Sequence, residues 1–346
     1  MPADDPLRTE VQRYCASIAR DRLLVQAAGG NVSWKSGDTL WIKASGTWLA
    51  DAEQQEIFVP VDRPPVDAAL ARGDYAFNPR ALEGYTLRPS IETLLHALMP
   101  QQFVVHLHPV DAVVHLARRN CRADLQAALG DTFAWELVDY HKPGADLAQA
   151  IHARMREKPG IQVVLLKNHG VILGAETIEE IDGHLQTLCR RLGSRPRPLD
   201  GTAHGAPGLS AAALDGTAYQ VFSHAALQYL ATDPELYERL DDSWAICPDH
   251  VVFLGAYAIR IDEPAALRDA LKAADPAPPF VFVKGAGVLE NRAVTPAQKA
   301  QLAFYLDVMA RQPVGQRLEP LSHEQIASLL NWDAEKYRFT LNQSAP

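Results

Sequence analysis

Residues 163–173 read VVLLKNHGVIL, and this stretch decides the interpretation of the fold. Two apolar runs flank a short polar turn, with Lys167 at its start and Gly170 at its end, a pattern typical of two strands joined by a tight turn. A helix begun by Thr177 is predicted to follow, up to about residue 192. The stretch therefore predicts a strand, turn, strand and helix unit with His169 in its turn.

The same pattern returns in residues 280–290, which read FVFVKGAGVLE and precede another Thr-initiated helix. Alignment of the two stretches pairs Lys167 with Lys284, Gly170 with Gly287 and His169 with Ala286. The match is either a coincidence of a common pattern or the mark of a degenerate repeat that lacks the histidine.

Helices and strands alternate along the rest of the chain, which predicts an α/β protein. The N-terminal pattern predicts helices over 7–28, 90–99, 109–119, 145–156 and 177–192, a hairpin around 36–38, and strands over 103–107 and 161–167. The C-terminal pattern predicts helices over 211–230 and 264–273, and strands over 251–254 and 258–261. Residues 194–210 are rich in Gly, Pro, Ser and Thr, and we expect a linker there between domains 1–193 and 211–346.

Composition and charge exclude several function classes. The chain of 346 residues carries 33 Lys and Arg against 42 Asp and Glu, so general electrostatic binding to nucleic acid or to an anionic membrane is not expected. Its four cysteines lie far apart, as in a protein of the reducing cytoplasm. No apolar stretch approaches the roughly 18 residues that would span a bilayer, and the acidic N-terminus lacks a secretion signal.

A candidate metal site lies in VVHLHP, residues 104–109. His106 and His108 are two apart in a predicted strand, so both imidazoles project from the same face. His169 can supply a third nitrogen ligand, and three histidines with an exchangeable position are typical of catalytic zinc. Glu92 can act as a fourth ligand or as a base. The alternative is that these are hydrogen-bonded core histidines and an ordinary charge at a helix N-terminus.

Small polar residues are candidates for binding an anionic group of a substrate. They are Gly30, Asn31, Ser45, Gly46 and Ser90, with Lys43 adding positive charge. Each of them has the alternative interpretation of a turn or cap residue.

Four blocks in order resemble the class II aldolase/adducin family over about residues 7–193. They are GGNVSWKSGDTLWIKASG (29–46), RPSIETLLHALMP (88–100), VVHLHPVDAVV (104–114) and LLKNHGVILGAET (165–177). The details PSIETLLHALMP, YHKPGADLA (140–148) and LNWDAEKYR (330–338) look most like the aldolase part of bifunctional rhamnulose-1-phosphate aldolase/alcohol dehydrogenases. L-fuculose-phosphate aldolases belong to the same family. The resemblance implies a three-layer α/β/α fold around a mainly antiparallel sheet, not a parallel doubly wound one, plus a smaller C-terminal α/β domain.

The resemblance also implies roles for particular residues. The family's metal-binding histidines fall on His106, His108 and His169, its acid/base glutamate on Glu92, and its anion-binding loops on Gly30, Asn31, Ser45, Gly46 and Ser90. Ala44 and Ile91 depart from the family's usual phosphate loops, which leaves phosphate and carboxylate both open as the recognised group. Tyr140 is the candidate for a tyrosine that some members contribute from a neighbouring subunit. Homo-oligomers are usual in the family.

The function implied is that of a metal-dependent aldolase acting on a small hydroxy-ketone or ketose phosphate through a zinc-stabilised enediolate. Zn²⁺ is the expected ion, with Mn²⁺ or another divalent ion as the alternative. Epimerase, dehydratase or decarboxylase activity at the same site is the nearest rival, and a non-catalytic adducin-like binding module is the second. The C-terminal domain has either an interaction role or a role in capping the substrate.

Overall fold

A seven-stranded sheet forms the centre of the N-terminal half of the chain. The computed structural model describes residues 5–203, 209, 214–273, 277–333, 336, 340 and 341. Its first seven strands are β1 (Asn31–Ser36), β2 (Thr39–Lys43), β3 (Phe58–Asp62), β4 (Phe103–Leu107), β5 (Trp135–Val138), β6 (Val163–Leu166) and β7 (Gly170–Ala175). They lie in the order β3-β2-β1-β4-β7-β6-β5, and every pairing is antiparallel except that of β5 with β6. The mainly antiparallel sheet implied by the resemblance is confirmed.

Helices cover both faces of this sheet. They are α1 (Pro6–Ile18), α2 (Arg63–Ala71), α3 (Thr93–Leu98), α4 (Val110–Leu116), α5 (Cys121–Leu129), α6 (Ala145–Glu157) and α7 (Ile178–Leu192). Because side chains alternate along a strand, Val163 and Leu165 pack in a core with α1, α5 and α7, whereas Val164 and Leu166 pack with α3 and α6 on the other face. Full burial of one such side chain stabilises the fold by about 1.5–3 kcal/mol.

A second, four-stranded sheet lies in the C-terminal half. Its strands are β8 (Tyr219–Val221), β9 (Ile259–Ile261), β10 (Phe280–Val283) and β11 (Gly287–Asn291). The helices there are α8 (Tyr229–Thr232), α9 (Pro234–Asp242), α10 (Pro248–Leu254), α11 (Leu267–Ala273), α12 (Pro296–Met309) and α13 (His323–Leu330). Turns of the 3-10 type lie at Leu49–Asp51, Ala225–Gln228 and Pro264–Ala266.

The second sheet repeats part of the first. Its order, β8-β11-β10-β9, with β9 parallel to β10 and the other pairs antiparallel, matches β4-β7-β6-β5 strand for strand. The register matches too, since Leu166 pairs with Gly170 in one hairpin and Val283 with Gly287 in the other. Of the two interpretations of the sequence match, the structure therefore favours a degenerate repeat, in which strand order, direction and register are all repeated. We call residues 103–192 the N-terminal repeat and residues 219–309 the C-terminal repeat.

The helix that closes each repeat begins in the same way. Thr177 caps α7 and Thr295 caps α12, and each hydroxyl accepts a hydrogen bond from the backbone N–H three residues on. Glu180 and Gln298 return a hydrogen bond to the cap, which completes a capping box in both helices.

The two repeats share one apolar core around α4. Val110, Val113 and Val114 of α4 are buried in the same cluster as Leu302 and Phe304 of α12. Since α4 follows directly after β4, the strand that carries two candidate metal ligands is packed against the C-terminal repeat.

Several local predictions are wrong. The opening helix ends at Ile18, not at residue 28, because Asp21 forms a turn by accepting the N–H of Leu23. The predicted strand 251–254 belongs to helix α10, which Pro248 begins at a first-turn position. The predicted helix 211–230 contains strand β8 and a 3-10 turn before the short α8, and its residues 211–213 lie outside the described part.

The hairpin around 36–38 is confirmed as β1 and β2, with Gly37 at φ +56°. Residues 204–208 and 210 of the predicted linker are outside the described ranges, so the domain boundary stays a prediction. None of the helices in the described ranges is long and apolar enough to cross a membrane.

Candidate active site

His106 and His108 lie at the end of β4 and project to the same side, as their spacing predicts. Their Nε2 atoms are 3.1 Å apart. The Nδ1 of His106 lies 3.0 Å from the carbonyl oxygen of Val171, which can only accept, so this nitrogen carries the proton. The Nε2 lone pair of His106 is thereby directed towards the centre between the rings.

His169 approaches the pair from the turn between β6 and β7. Its ring centroid lies 4.8 Å from that of His106 and 5.2 Å from that of His108. All three histidines are buried, and their ligand nitrogens lie within 4.8 Å of one another. The next residue, Gly170, permits this approach, because a Cβ there would lie 2.3 Å from the carbonyl oxygen of Leu107.

The carboxylate of Glu92 faces the three rings. Oε2 lies 3.6 Å from His106 Nε2, and Oε1 lies 3.7 Å from His169 Nε2. Asn31 Nδ2 donates a hydrogen bond of 2.7 Å to Oε2, whereas Oε1 accepts no hydrogen bond from the described residues. Helix α3 begins at Thr93, so Glu92 immediately precedes it, and the Glu92 N–H donates to Ser90 Oγ.

This donor set fits a small divalent cation. Tetrahedral zinc with bonds of about 2.0–2.1 Å to nitrogen places its ligand nitrogens about 3.3 Å apart, close to the 3.1 Å between the two Nε2 atoms. Imidazole nitrogens suit zinc well among the common biological cations, although they also bind other transition metals.

The site opens into a cavity of about 420 Å³. The predicted residues that line it are Gly30, Asn31, Lys43, Ser45, Gly46, Ser90, Glu92, His108 and His169. Lys43 is almost fully buried, and its ammonium group donates to the carbonyl oxygens of Ala28 and Thr47. The sequence-predicted metal and anion residues therefore meet in one place.

Tyr140 lies elsewhere. It is half-buried and packs against an apolar cluster that contains Leu321, Ile326 and Leu329, outside the described lining of the cavity. Its expected role concerns a neighbouring subunit and stays a prediction.

His96, in helix α3, is fully buried close to the site but makes a different contact. Its Nδ1 lies 2.8 Å from Ser33 Oγ. Burial, helped by the nearby positive charges of Lys35 and Lys43, lowers the pKa of His96 well below its ordinary value. We therefore expect His96 to be a neutral core residue.

Two residues of the C-terminal repeat also line the cavity and were missed by the sequence interpretation. Pro248 and Asp249 form the first turn of α10, and Asp249 Oδ2 lies 3.6 Å from His108 Nδ1. Proline followed by aspartate is a sequence signal for a helix start. The apolar run VVFL that follows was interpreted as a strand, and this concealed the signal.

The fold and site define an α/β protein with a buried three-histidine candidate metal centre beside a carboxylate. The family model described as Class II Aldolase and Adducin N-terminal domain matches residues 9–190, and the chain belongs to this family.

The curated relatives each match a little under half of the chain. An L-fuculose phosphate aldolase of Methanocaldococcus jannaschii is 27% identical over 167 residues, which cover 46% of this chain and 80% of the relative. An uncharacterized oxidoreductase of Bacillus subtilis, YuxG, is 29% identical over 182 residues, 47% of this chain, and this chain spans only 25% of its length.

Among solved structures, the N-terminal class II aldolase domain of a conserved protein from Thermoplasma acidophilum is 24% identical. The alignment has a TM-score of 0.43 and covers 55% of this chain and 94% of that one.

Proposed function

We propose that the protein is a metal-dependent aldolase, a lyase that cleaves or forms a carbon–carbon bond in a small hydroxy-ketone or ketose phosphate. The observation that carries this proposal is the convergence of three buried imidazoles and the Glu92 carboxylate, of which Glu92, His108 and His169 line a cavity. Membership of the family supports it.

In this proposal His106, His108 and His169 hold the cation, Zn²⁺ in preference to Mn²⁺ or another divalent ion. When bound, the cation supplies Lewis acidity that stabilises the enediolate left by carbon–carbon cleavage. The protein's part is to present three neutral imidazoles in fixed orientations. For His106, the hydrogen bond that Nδ1 donates to the Val171 carbonyl fixes the ring.

Glu92 acts as the acid/base and transfers a proton between carbon and oxygen of the substrate. Its Oε2 is occupied by the amide of Asn31, whereas Oε1 points into the site and can accept or return a proton. The carboxylate is nearly fully buried, so water does not compete strongly for that oxygen. Asn31 acts by orienting Glu92, and it also lines the cavity.

In the same proposal, the anionic group of the substrate is held by other residues that line the cavity. Lys43 supplies a buried positive charge, and Ser45, Gly46 and Ser90 supply hydroxyl and backbone donors. Because Ala44 and Ile91 depart from the family's usual phosphate loops, phosphate and carboxylate are both candidates. The proposal includes a homo-oligomer in the cytoplasm, as the family and the cysteine usage imply.

The test compares Glu92→Gln with wild type in zinc content and in retro-aldol rate over a panel of ketose phosphates. We expect zinc content near that of wild type and a kcat lower by about 10²–10⁴-fold, because loss of a general base has that magnitude. The exposed Glu83→Gln is the matched control and should leave both unchanged.

Near-normal turnover of Glu92→Gln would refute the role of Glu92. Turnover of epimerase, dehydratase or decarboxylase substrates in place of cleavage would assign the same centre to a different reaction. Wild-type protein that binds metal but turns over no substrate would favour a binding module.

A further inference from the structure

The C-terminal repeat contributes to the candidate metal site, although its own sheet lacks the histidines. Helix α10 begins over the cavity, and Asp249 in its first turn faces His108. The side chains of both residues are at most 5% exposed. A carboxylate is therefore buried against one of the three imidazoles from a part of the chain that lies about 140 residues further on.

The two nitrogens of His108 face in different directions. Nε2 faces the centre, 3.1 Å from Nε2 of His106, and Nδ1 faces Asp249 Oδ2 at 3.6 Å. An imidazole that gives its Nε2 lone pair to a cation carries its proton on Nδ1 and becomes more positive there. A carboxylate on that side stabilises this state, because buried charges interact strongly at such distances.

Asp249 is itself held in place. Gln301, a fully buried residue of α12, donates from Nε2 to Asp249 Oδ2 over 3.3 Å. The carboxylate is thus fixed between one amide and one imidazole and does not extend freely into solvent.

The loop that carries His169 also depends on the C-terminal half. The buried Asn168, at φ +53°, donates from Nδ2 to the carbonyl oxygens of Ile246 and Glu319 over 3.2 and 2.8 Å. These contacts, like that of Asp249, come from the C-terminal half of the chain. They show that the C-terminal part packs on the loops bearing two of the three histidines.

We propose that Asp249 is a positioning residue that orients His108 and raises its basicity towards the cation. The C-terminal repeat, which lacks the three histidines, thereby increases the metal affinity of the site in the N-terminal repeat. This inference depends on the proposed metal site, and it adds a residue outside the part of the chain that the family model matches.

The experiment measures Zn²⁺ affinity of the full-length apoprotein by chelator competition, and the absorption spectrum of the Co²⁺-loaded protein. Asp249→Asn keeps the shape of the side chain and removes its charge. We expect a Zn²⁺ Kd about 10–100-fold higher than in wild type, the usual effect of losing a group that orients a metal ligand, and an altered Co²⁺ spectrum. Asp249→Glu should recover part of the affinity.

The matched control is Asp241→Asn, which changes an exposed aspartate of the same repeat and should leave Kd and spectrum unchanged. Gln301→Met is a second variant in case Asp249→Asn does not fold. It retains Asp249 but removes the amide that holds it, and we expect a smaller increase in Kd than for Asp249→Asn.

A folded Asp249→Asn protein with a Kd within twofold of wild type and an unchanged Co²⁺ spectrum would overturn the inference. So would unchanged metal affinity with a raised KM, which would make Asp249 a substrate contact. Either result leaves the proposed function intact. Wild-type protein that binds no metal would overturn both proposals.

Discussion

The N-terminal and C-terminal repeats share strand order, strand direction, hairpin register and a capped closing helix, yet they differ in chemistry. In the matching register His106 corresponds to Val221, so His108 corresponds to Ser223, and His169 corresponds to Ala286. The comparison shows that the backbone arrangement persists without any of the three candidate metal ligands. Ligands are a separate requirement placed on a scaffold that folds without them.

The closing helices α7 and α12 also differ, because the helix of the repeat without the three histidines is the more deeply buried one. Helix α7 buries one face, through Ile181, Leu185, Leu188 and Leu192. Helix α12 buries residues on nearly every side, because it packs against α4 of the N-terminal repeat as well as against α10 of its own repeat. Helix α12 thus takes part in the apolar packing between the repeats as well as in the core of its own repeat.

The largest effect, on Zn²⁺ affinity, should appear when equivalent positions of the two repeats are each replaced by alanine. His108→Ala removes one of three imidazoles and should raise the Zn²⁺ Kd by more than about 100-fold, beyond the effect of losing an orienting group. Ser223→Ala changes the equivalent, exposed position and should leave Kd within twofold of wild type. Isothermal titration of the apoproteins checks both, and equal affinities for the two variants would contradict the assignment of ligands to the N-terminal repeat.

The next largest effect, on the free energy of unfolding, comes from the difference in burial between the closing helices. Phe304→Ala empties a fully buried position of α12 and should lower the free energy of unfolding by about 3–5 kcal/mol. Gln186→Ala, the equivalent position on α7, is exposed and should change it by less than about 0.5 kcal/mol.

Urea unfolding followed by circular dichroism measures these changes. Because the core around α4 is common to both repeats, we also expect one cooperative transition in wild type. Two separate transitions would show that the repeats unfold independently.

The smallest effect concerns a buried histidine of the C-terminal repeat that faces no metal. Burial lowers the pKa of His250 to about 3, against a weaker opposing effect of Asp249. Below pH 6.5 the unfolded chain binds a proton at His250 that the folded protein does not. Stability should therefore fall as pH drops from 6.5 towards 3, by about 2 kcal/mol between pH 7 and pH 5 from this residue.

His250→Leu should remove that part of the pH dependence. The measurement is urea unfolding of apoprotein in chelator at pH 7, 6 and 5, so that metal release does not contribute. Identical pH slopes for wild type and His250→Leu would show that the imidazole takes up a proton in the folded state as well.

Local patterns predicted much of the N-terminal repeat. The two-residue spacing of His106 and His108 places both rings on one face of a strand, and the turn before Gly170 brings His169 over the strand end. That Glu92 meets them is not a local property, since it depends on β1 pairing with β4 and on Asn31 reaching the carboxylate. The residue pattern offered Glu92 as a ligand, a base or an ordinary charge at a helix N-terminus, and the family resemblance implied the acid/base role among these.

Asp249 could not be found in the same way. Its partner His108 is far away in sequence, and only the packing of α12 against α4 and α10 brings the two together. The β-branched and aromatic side chains of residues 251–254 favour a strand, whereas Pro248 favours a helix start, and in the structure the helix start prevails.

The sharing of α4 between the two repeats has a consequence for synthesis on the ribosome. Translation proceeds from the N-terminus, so all three histidines and Glu92 leave the exit tunnel well before residues 296–309 exist. Until then the valines of α4 lack the cover that α12 provides, and a nascent chain exposes part of their apolar surface close to the candidate metal site. Slow elongation over the last third of the message should therefore lengthen the period in which the nascent chain depends on a chaperone.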